Sequence, residues 1–305
     1  GIRVELLLMD DREQRKSLAA VERLARGLLR RGADRAAMLA AVGGGVVGDV
    51  VGFLAASYMR GVDYVQVPTT LVAQIDSAIG GKTGINLREG KNLLGAFHHP
   101  CAVLVDPRTL ATLPEREFNA GLYELIKYAI IGDAALFAFL ERHLEAVKKR
   151  QSRTLQYVLY RAIRQKARVV AQDEREQNQR RILNFGHTFG HALEALSSYR
   201  RFRHGEAVGW GMLMATRLAH RLGRAGPAEV GRVVELVRRV GSLPPLPRVS
   251  PERVLAQLRA DKKRRGDALF FVLPERIGRV TVTADVPRAA LRRTVEEFLG
   301  PGSSL

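Results

Sequence analysis

With 305 residues, 46% of them hydrophobic and 26% charged, the chain has the length of one large domain or two ordinary ones and a globular composition, which excludes a disordered chain. Its net charge of +18 points to anionic partners, yet 40 of the 49 cations are arginines spread along the chain and only 6% of residues are aromatic, which argues against a nucleic-acid stacking surface. One cysteine, Cys101, excludes a disulfide framework and a cysteine-built zinc site, and no apolar run approaches the roughly 18 residues of a membrane span.

The first residue, Gly1, is not an initiator methionine, and no charged-then-apolar signal segment opens the chain, so a cytoplasmic location is the expectation. Residues 3–9 read as a buried strand. Residues 14–31 read as an amphipathic helix with Leu18, Val21, Leu24, Ala25, Leu28 and Leu29 on one side. A strand at 36–42 runs into Gly43-Gly44-Gly45, followed by a small-residue helix at 46–59 and a strand at 62–67. Pro68-Thr69-Thr70 turns into another helix, and 101–105 is one more strand, closed by Asp106-Pro107. Strands alternating with helices predict a parallel sheet. From Pro114 the pattern becomes helical, at 115–131, 133–147, 152–173, 184–197, 204–222, 227–239 and 251–260. A strand pair at 269–273 and 278–283 and a helix at 288–298 close the chain. The expectation is an α/β domain over 1–113 and a mostly helical domain over 114–305, with a surface loop over 241–251.

Five constellations could carry chemistry. Gly43 to Asp49 sits at a strand-to-helix turn, where glycines let the backbone approach a diphosphate and the helix N-terminus supplies donors. The spacing is not the G-x-G-x-x-G fingerprint, so the pattern is only moderately specific, with tight helix-on-sheet packing as the alternative. The run from Thr69 to Asn92 holds Asp76, Lys82 and Lys91, each lysine against glycine, as phosphate or carboxylate recognition requires. Only nine lysines occur in this arginine-rich chain, and a lysine is kept where a compact point charge is needed. Glu124 and Lys127 share a face of the 115–131 helix with Tyr128, at a spacing that an ordinary surface pair also shows. Lys166 falls within the apolar stripe of its helix, so it either finds partners inside or snorkels out.

The fifth constellation runs from Arg180 to His204. His187 and His191 lie four apart on one helix face with Glu194, and His204 opens the next helix, so three of the seven histidines fall within 18 residues. Two histidines and a carboxylate with an open position form a catalytic zinc pattern. Glu124, Glu194 and Glu206 are the carboxylate candidates, and spacing does not choose among them.

Taken together, the strings GGGVVGDVVGFLAASYMRG, PTTLVAQIDSAIGGKTGIN, GKNLLGAFHHP, NAGLYELIKYAIIGD, RILNFGHTFGHALE, HGEAVGWGM and DKK…GDALFFVLPERIG closely resemble the 3-dehydroquinate synthase family. The resemblance spans almost the whole chain. It implies a Rossmann-like N-terminal domain and a helical metal-binding domain, a fold shared with glycerol dehydrogenases, and a homodimer that uses NAD and a divalent metal, normally Zn²⁺, with Co²⁺ as a substitute. The implied reaction is a phosphate elimination and ring closure. 3-Deoxy-D-arabino-heptulosonate 7-phosphate is oxidised transiently by NAD⁺, loses phosphate, is reduced again and closes by intramolecular aldol addition to 3-dehydroquinate, a step of the shikimate pathway to aromatic amino acids. The implied partner is thus a phosphorylated sugar acid, with no nucleic acid and no membrane.

Position by position, the resemblance makes Glu124, His187 and His204 the metal ligands and His191 a neighbouring or substrate residue. It assigns the dinucleotide to Asp11, Glu13 and Lys16, to Gly44, Gly45, Val46, Val47, Gly48 and Asp49, to Thr69, Thr70, Lys82 and Lys91, and to Thr109, Leu110, Ala111 and Thr112. Substrate contacts are implied for Arg60, Asp76, Lys82, Asn92, Lys127, Lys166, Arg180, Asn184, His191 and one of Lys262 and Lys263. The chain departs from the family's Ala-Glu-Val-Ile-Lys-Tyr-Gly string at Tyr123 and Ala129, for which local repacking is expected. The family pattern also has a strand-rich segment ahead of residue 1, so the N-terminal domain is expected to lack its first strands. Competing readings are a sister sugar-phosphate cyclase forming a valiolone or an inosose, an NAD-dependent polyol dehydrogenase, and a basic nucleic-acid-binding module, which would show steeply salt-dependent DNA retention.

Overall fold

The computed structural model describes residues 2–265 and 269–300, with side chains left out of the description from 261 to 265. The chain divides into two compact units, 1–113 and 114–305.

In the first unit, α1 (Leu18–Arg30) buries Ala20, Val21, Leu24 and Gly27, the stripe that its 3.6-residue apolar period dictates. Strands β1 (Leu39–Gly43), β2 (Tyr64–Pro68) and β5 (Ala102–Val103) form a parallel sheet in the order β1-β2-β5. Helix α2 (Gly45–Ser57) crosses between β1 and β2 and is apolar almost all round. It approaches closely because it is lined with small residues. A Cβ on Gly48 would lie 2.6 Å from the Gln66 side chain, and one on Gly52 would lie 2.4 Å from Thr83.

Three departures from the sequence reading appear here. Residues 3–9 form no strand; Leu7 and Met9 pack against the core, and Val4, Leu6 and Leu8 are exposed. A strand needs a neighbour for its ladder, and none pairs with it among the described residues. The glycine-rich run is not simply a loop. It forms an antiparallel hairpin of β3 (Lys82–Leu87) and β4 (Gly90–Phe97), whose backbones meet where Gly84 faces Gly95. The segment after Thr70 is wound mainly as a π-helical turn, Ala73–Ser77.

The second unit is built on α3 (Glu115–Gly132). Every residue from 120 to 131 is buried, so α3 is a central helix covered on all sides. Around it lie α4 (Ala134–Lys148), α5 (Ser152–Gln172), α6 (His187–Leu196), α7 (His204–Arg221), α8 (Pro227–Val240), α9 (Pro251–Arg265) and α10 (Arg288–Leu299), with the hairpin β6 (Phe271–Arg276) and β7 (Arg279–Thr283). Asp133 caps α4 through the Leu136 N–H and takes a forked pair from Arg161. The departures at Tyr123 and Ala129 are absorbed locally. Tyr123 is buried with its hydroxyl on the Gly241 carbonyl, and its ring lies against Gly209. No helix of the described residues is long and apolar enough to cross a membrane.

Candidate functional site

On α3, Glu124 and Lys127 are one turn apart and buried to 0% and 1% exposure, with Lys127 Nζ 2.6 Å from Glu124 Oε2. The surface-pair reading fails because the helix that carries them has no free face. Desolvating two charges is costly, and such a pair adds little net stability over apolar residues of the same size. Its retention points to chemistry.

Two imidazoles close on the same carboxylate. Gly186 at φ +80°, with the Val208 carbonyl 2.8 Å from where a Cβ would sit, forms the turn that starts α6 at His187. The His187 Nδ1 atom rests on the Phe185 carbonyl at 3.1 Å, and its Nε2 lies 3.7 Å from Glu124 Oε1. His204 is the first residue of α7, whose start is pinned by the Arg203 N–H on Glu206 Oε2 at 2.7 Å and by Arg116 forked onto Glu206. Gly205 lets that turn touch α3, since a Cβ there would fall 1.8 Å from the Ala120 carbonyl oxygen. His204 Nε2 then sits 3.3 Å from Glu124 Oε1, and its Nδ1 sits 3.5 Å from Glu194 Oε1.

One ligand atom from each of Glu124, His187 and His204 lies within 4.8 Å of the others, as does one from each of His191, Glu194 and His204. Two imidazole nitrogens and a carboxylate oxygen suit zinc or cobalt. The three candidate carboxylates therefore go to different work. Glu124 faces both Nε2 atoms, Glu194 faces Nδ1 of His204, and Glu206 serves Arg116 and the start of α7.

The electrostatics divide the imidazoles. Burial, with the Lys127 charge beside it, holds His187 down to about 3, so it is neutral at pH 7. Burial acts the same way on His204, but hydrogen bonds and charge from Glu124 and Glu194 outweigh it and raise the group to about 10. With 41% of the His204 side chain exposed, water softens both influences.

Elsewhere in this unit Lys166 is 5% exposed on α5, so the inward reading holds over snorkelling. Arg180 is 2% exposed, with its guanidinium on the Glu174 carbonyl and its N–H on Asp173 at 2.9 Å. Asn184 donates to Glu176 at 2.7 Å. The His191 ring stands 5.4 Å from that of His187 and 5.9 Å from that of His204. Lys262 and Lys263 lie outside the residues whose side chains are described.

In the first unit the candidate nucleotide residues gather at the carboxyl edge of the parallel sheet, where open α/β sheets bind ligands. Gly43 stands opposite Pro68 in register, and the Thr69 N–H donates to the Gly43 carbonyl. Gly44 caps α2, and a Cβ on it would lie 3.0 Å from Thr70. Val47 and Gly48 are buried, and Val46 and Gly45 are half-buried in the first turn. Leu110 is buried, while Ala111 and Thr112 are exposed. Gln74, fully buried, ties this edge together. Its amide donates to the Pro68 and Asp106 carbonyls and to Thr109 Oγ1, at 3.0–3.1 Å. Sequence reasoning missed it, since a glutamine between apolar residues carries no local signal.

Lys16 is 3% exposed and turns inward onto both Asp49 and Asn92. Asn86 donates to Glu13 Oε1 at 2.8 Å, so the 13–16 segment is fastened to the β3–β4 hairpin. Asp11, Arg60 and Lys82 are exposed, and Asp76 and Lys91 are half-buried.

The family model described as 3-dehydroquinate synthase N-terminal matches residues 6–120, and the one described as 3-dehydroquinate synthase C-terminal matches 121–264. The 3-dehydroquinate synthase of Solibacter usitatus is 49% identical over 94% of this chain and 80% of its own length; that of Koribacter versatilis is 45% identical over 98% and 81%. Among solved structures, the 2-epi-5-epi-valiolone synthase of Streptomyces hygroscopicus, with NAD⁺ and Zn²⁺ bound, is 35% identical with a TM-score of 0.88 over 95% of this chain and 81% of that one. A 2-deoxy-scyllo-inosose synthase complexed with carbaglucose-6-phosphate, NAD⁺ and Co²⁺ is 31% identical with a TM-score of 0.85, covering 94% and 81%. A probable glycerol dehydrogenase from Sinorhizobium meliloti, 18% identical over 93% and 81% with a TM-score of 0.60, shares the fold.

Proposed function

The chain belongs to the 3-dehydroquinate synthase family, and we propose that it carries out that family's reaction, closing 3-deoxy-D-arabino-heptulosonate 7-phosphate to 3-dehydroquinate with loss of phosphate. The observation that carries the reading is the buried Glu124–Lys127 pair with two imidazole nitrogens facing the same carboxylate oxygen. When bound, NAD⁺ supplies a reversible hydride acceptor and a divalent metal a Lewis acid.

Glu124, His187 and His204 are assigned to hold the metal. Asp11, Glu13, Lys16, the turn from Gly44 to Asp49, Thr69, Thr70, Lys82, Lys91 and the segment from Thr109 to Thr112 are assigned to the dinucleotide. The glycine turn and the first N–H groups of α2 suit its diphosphate. The substrate is a carboxylate bearing a phosphate. Lys127, Lys166 and Arg180 answer those charges, with Asn184 and His191 as neutral or titratable hydrogen-bonding groups. Arg60, Asp76, Lys82, Asn92 and one of Lys262 and Lys263 complete the assignment. The chain's own part is mainly to orient the sugar and hold fixed charges where negative charge develops, while the substrate's phosphate carries much of the proton traffic. A homodimer in the cytoplasm completes the reading.

The test is to supply the heptulosonate phosphate with catalytic NAD⁺ and Zn²⁺, with and without EDTA, and to follow phosphate and dehydroquinate together. Equal release of both, lost with EDTA and without accumulation of NADH, is expected. Glucose 6-phosphate, which lacks the carboxylate, should release nothing. Turnover of that sugar in place of the acid would move the chain to the inosose-forming cyclases. Sedimentation at the mass of one chain would overturn the dimer.

A further inference from the structure

Glu194 is placed where a carboxylate needs a reason. It lies on the His187–His191 face of α6, is 4% exposed, and belongs to a helix whose other buried residues are Phe189, Gly190, Ala192 and Leu193. A carboxylate that deep must be matched by a donor. Its Oε1 is 3.5 Å from His204 Nδ1, the long end of a hydrogen bond. The other imidazole is treated alike, with His187 Nδ1 on the Phe185 carbonyl. Both rings thus have Nδ1 beside an oxygen and Nε2 turned toward Glu124 Oε1. Metal-ligating histidines usually give their second N–H to a carboxylate or carbonyl, which fixes tautomer and ring orientation.

We propose that Glu194 is a positioning residue for the metal centre: it holds His204 by Nδ1, so that Nε2 is the nitrogen offered beside Glu124. This rests on the metal reading of Glu124, His187 and His204 but not on which sugar phosphate is turned over. It also gives the second grouping, His191 with Glu194 and His204, a role other than a rival metal site.

The experiment uses the full chain and reads zinc affinity by competition with a chromogenic chelator. Glu194→Gln should weaken zinc roughly 10- to 100-fold. In a His204→Ala background the same substitution should change affinity less than about twofold, because its effect passes through His204. A loss that persists in that background would make Glu194 a ligand itself and overturn the proposal. Unchanged affinity in the single variant would overturn it as well. Nitrogen-15 spectra of the zinc-loaded wild-type chain give a reading that needs no variant. His204 should carry its proton on Nδ1, and a proton on Nε2 contradicts the proposal. A wild-type chain that bound no zinc would defeat the metal reading and this proposal together, whereas a zinc-binding chain inactive on the heptulosonate would leave this proposal standing.

Discussion

Lys127 and Glu124 left water together, and each depends on the other for compensation. Lys127→Met removes the ammonium 2.6 Å from a carboxylate set in apolar packing. The metal-free chain should lose about 3–5 kcal/mol, seen as a lower denaturant midpoint at unchanged slope. Added zinc should restore part of that loss, because its two charges exceed the one that His204 gives up. The two histidines predict a pH dependence. His204, raised to about 10, contributes stability to the metal-free chain that is full below its ordinary value near 6.5 and disappears as pH climbs through 10. His187, lowered to about 3, contributes in the opposite sense, fully above 6.5 and progressively less as pH falls toward 3. A metal needs both rings neutral, so at pH 7.5 each zinc bound should expel about one proton, chiefly from His204. Calorimetry in two buffers of different ionisation enthalpy reads that number, and zero would contradict the assignment. The histidine spacing made this centre legible in the sequence, but the choice of carboxylate was not. Glu124, Glu194 and Glu206 are equally acidic on paper, and only the docking of α3 against α6 and α7 separates them.

At the scale of elements, glycine decides how closely those helices approach. Gly205→Ala drives a methyl into the Ala120 carbonyl, 1.8 Å from where the new Cβ would sit. The first turn of α7 must lift, and His204 lifts with it. The expected result is a loss of about 3 kcal/mol or more together with much weaker zinc binding, measured by melting and by chelator competition on the same variant. The helices of the second unit were legible because each writes its own apolar period. The β3–β4 hairpin was not, since Gly84, Gly90 and Gly95 dilute the alternation that marks a strand. The stretch over 3–9 shows the complementary failure. Its apolar run is written locally, while the partner that would make it a strand is not.

For the whole molecule, two units with separate cores predict separate responses. Zinc at a hundred times its dissociation constant should add about 2.7 kcal/mol to the unit that holds it. Hydrogen exchange should then slow in α3, α6 and α7 and stay as it was in β1 and β2. NAD⁺ should do the reverse. Equal slowing in both units by either ligand would contradict the division of labour. The charge of +18 proved less informative about the site. Many arginines are spent on exposed local pairs, such as Arg26 with Glu22 and Arg292 with Glu296, which contribute little stability.

Two of the arginine pairs have a different consequence. Arg116 grips Glu206 and Arg203 grips Glu117, so the starts of α3 and α7 are cross-linked by groups more than half exposed on the arginine side. Screening shortens from about 10 Å at 0.1 M salt to about 3 Å at 1 M. Concentrated salt would therefore loosen this rim while barely touching Glu124 at the centre. The dwell time of a bound ion and its affinity are then under separate control. High salt should quicken exchange in both directions, seen as faster zinc release to excess chelator, and move the equilibrium much less.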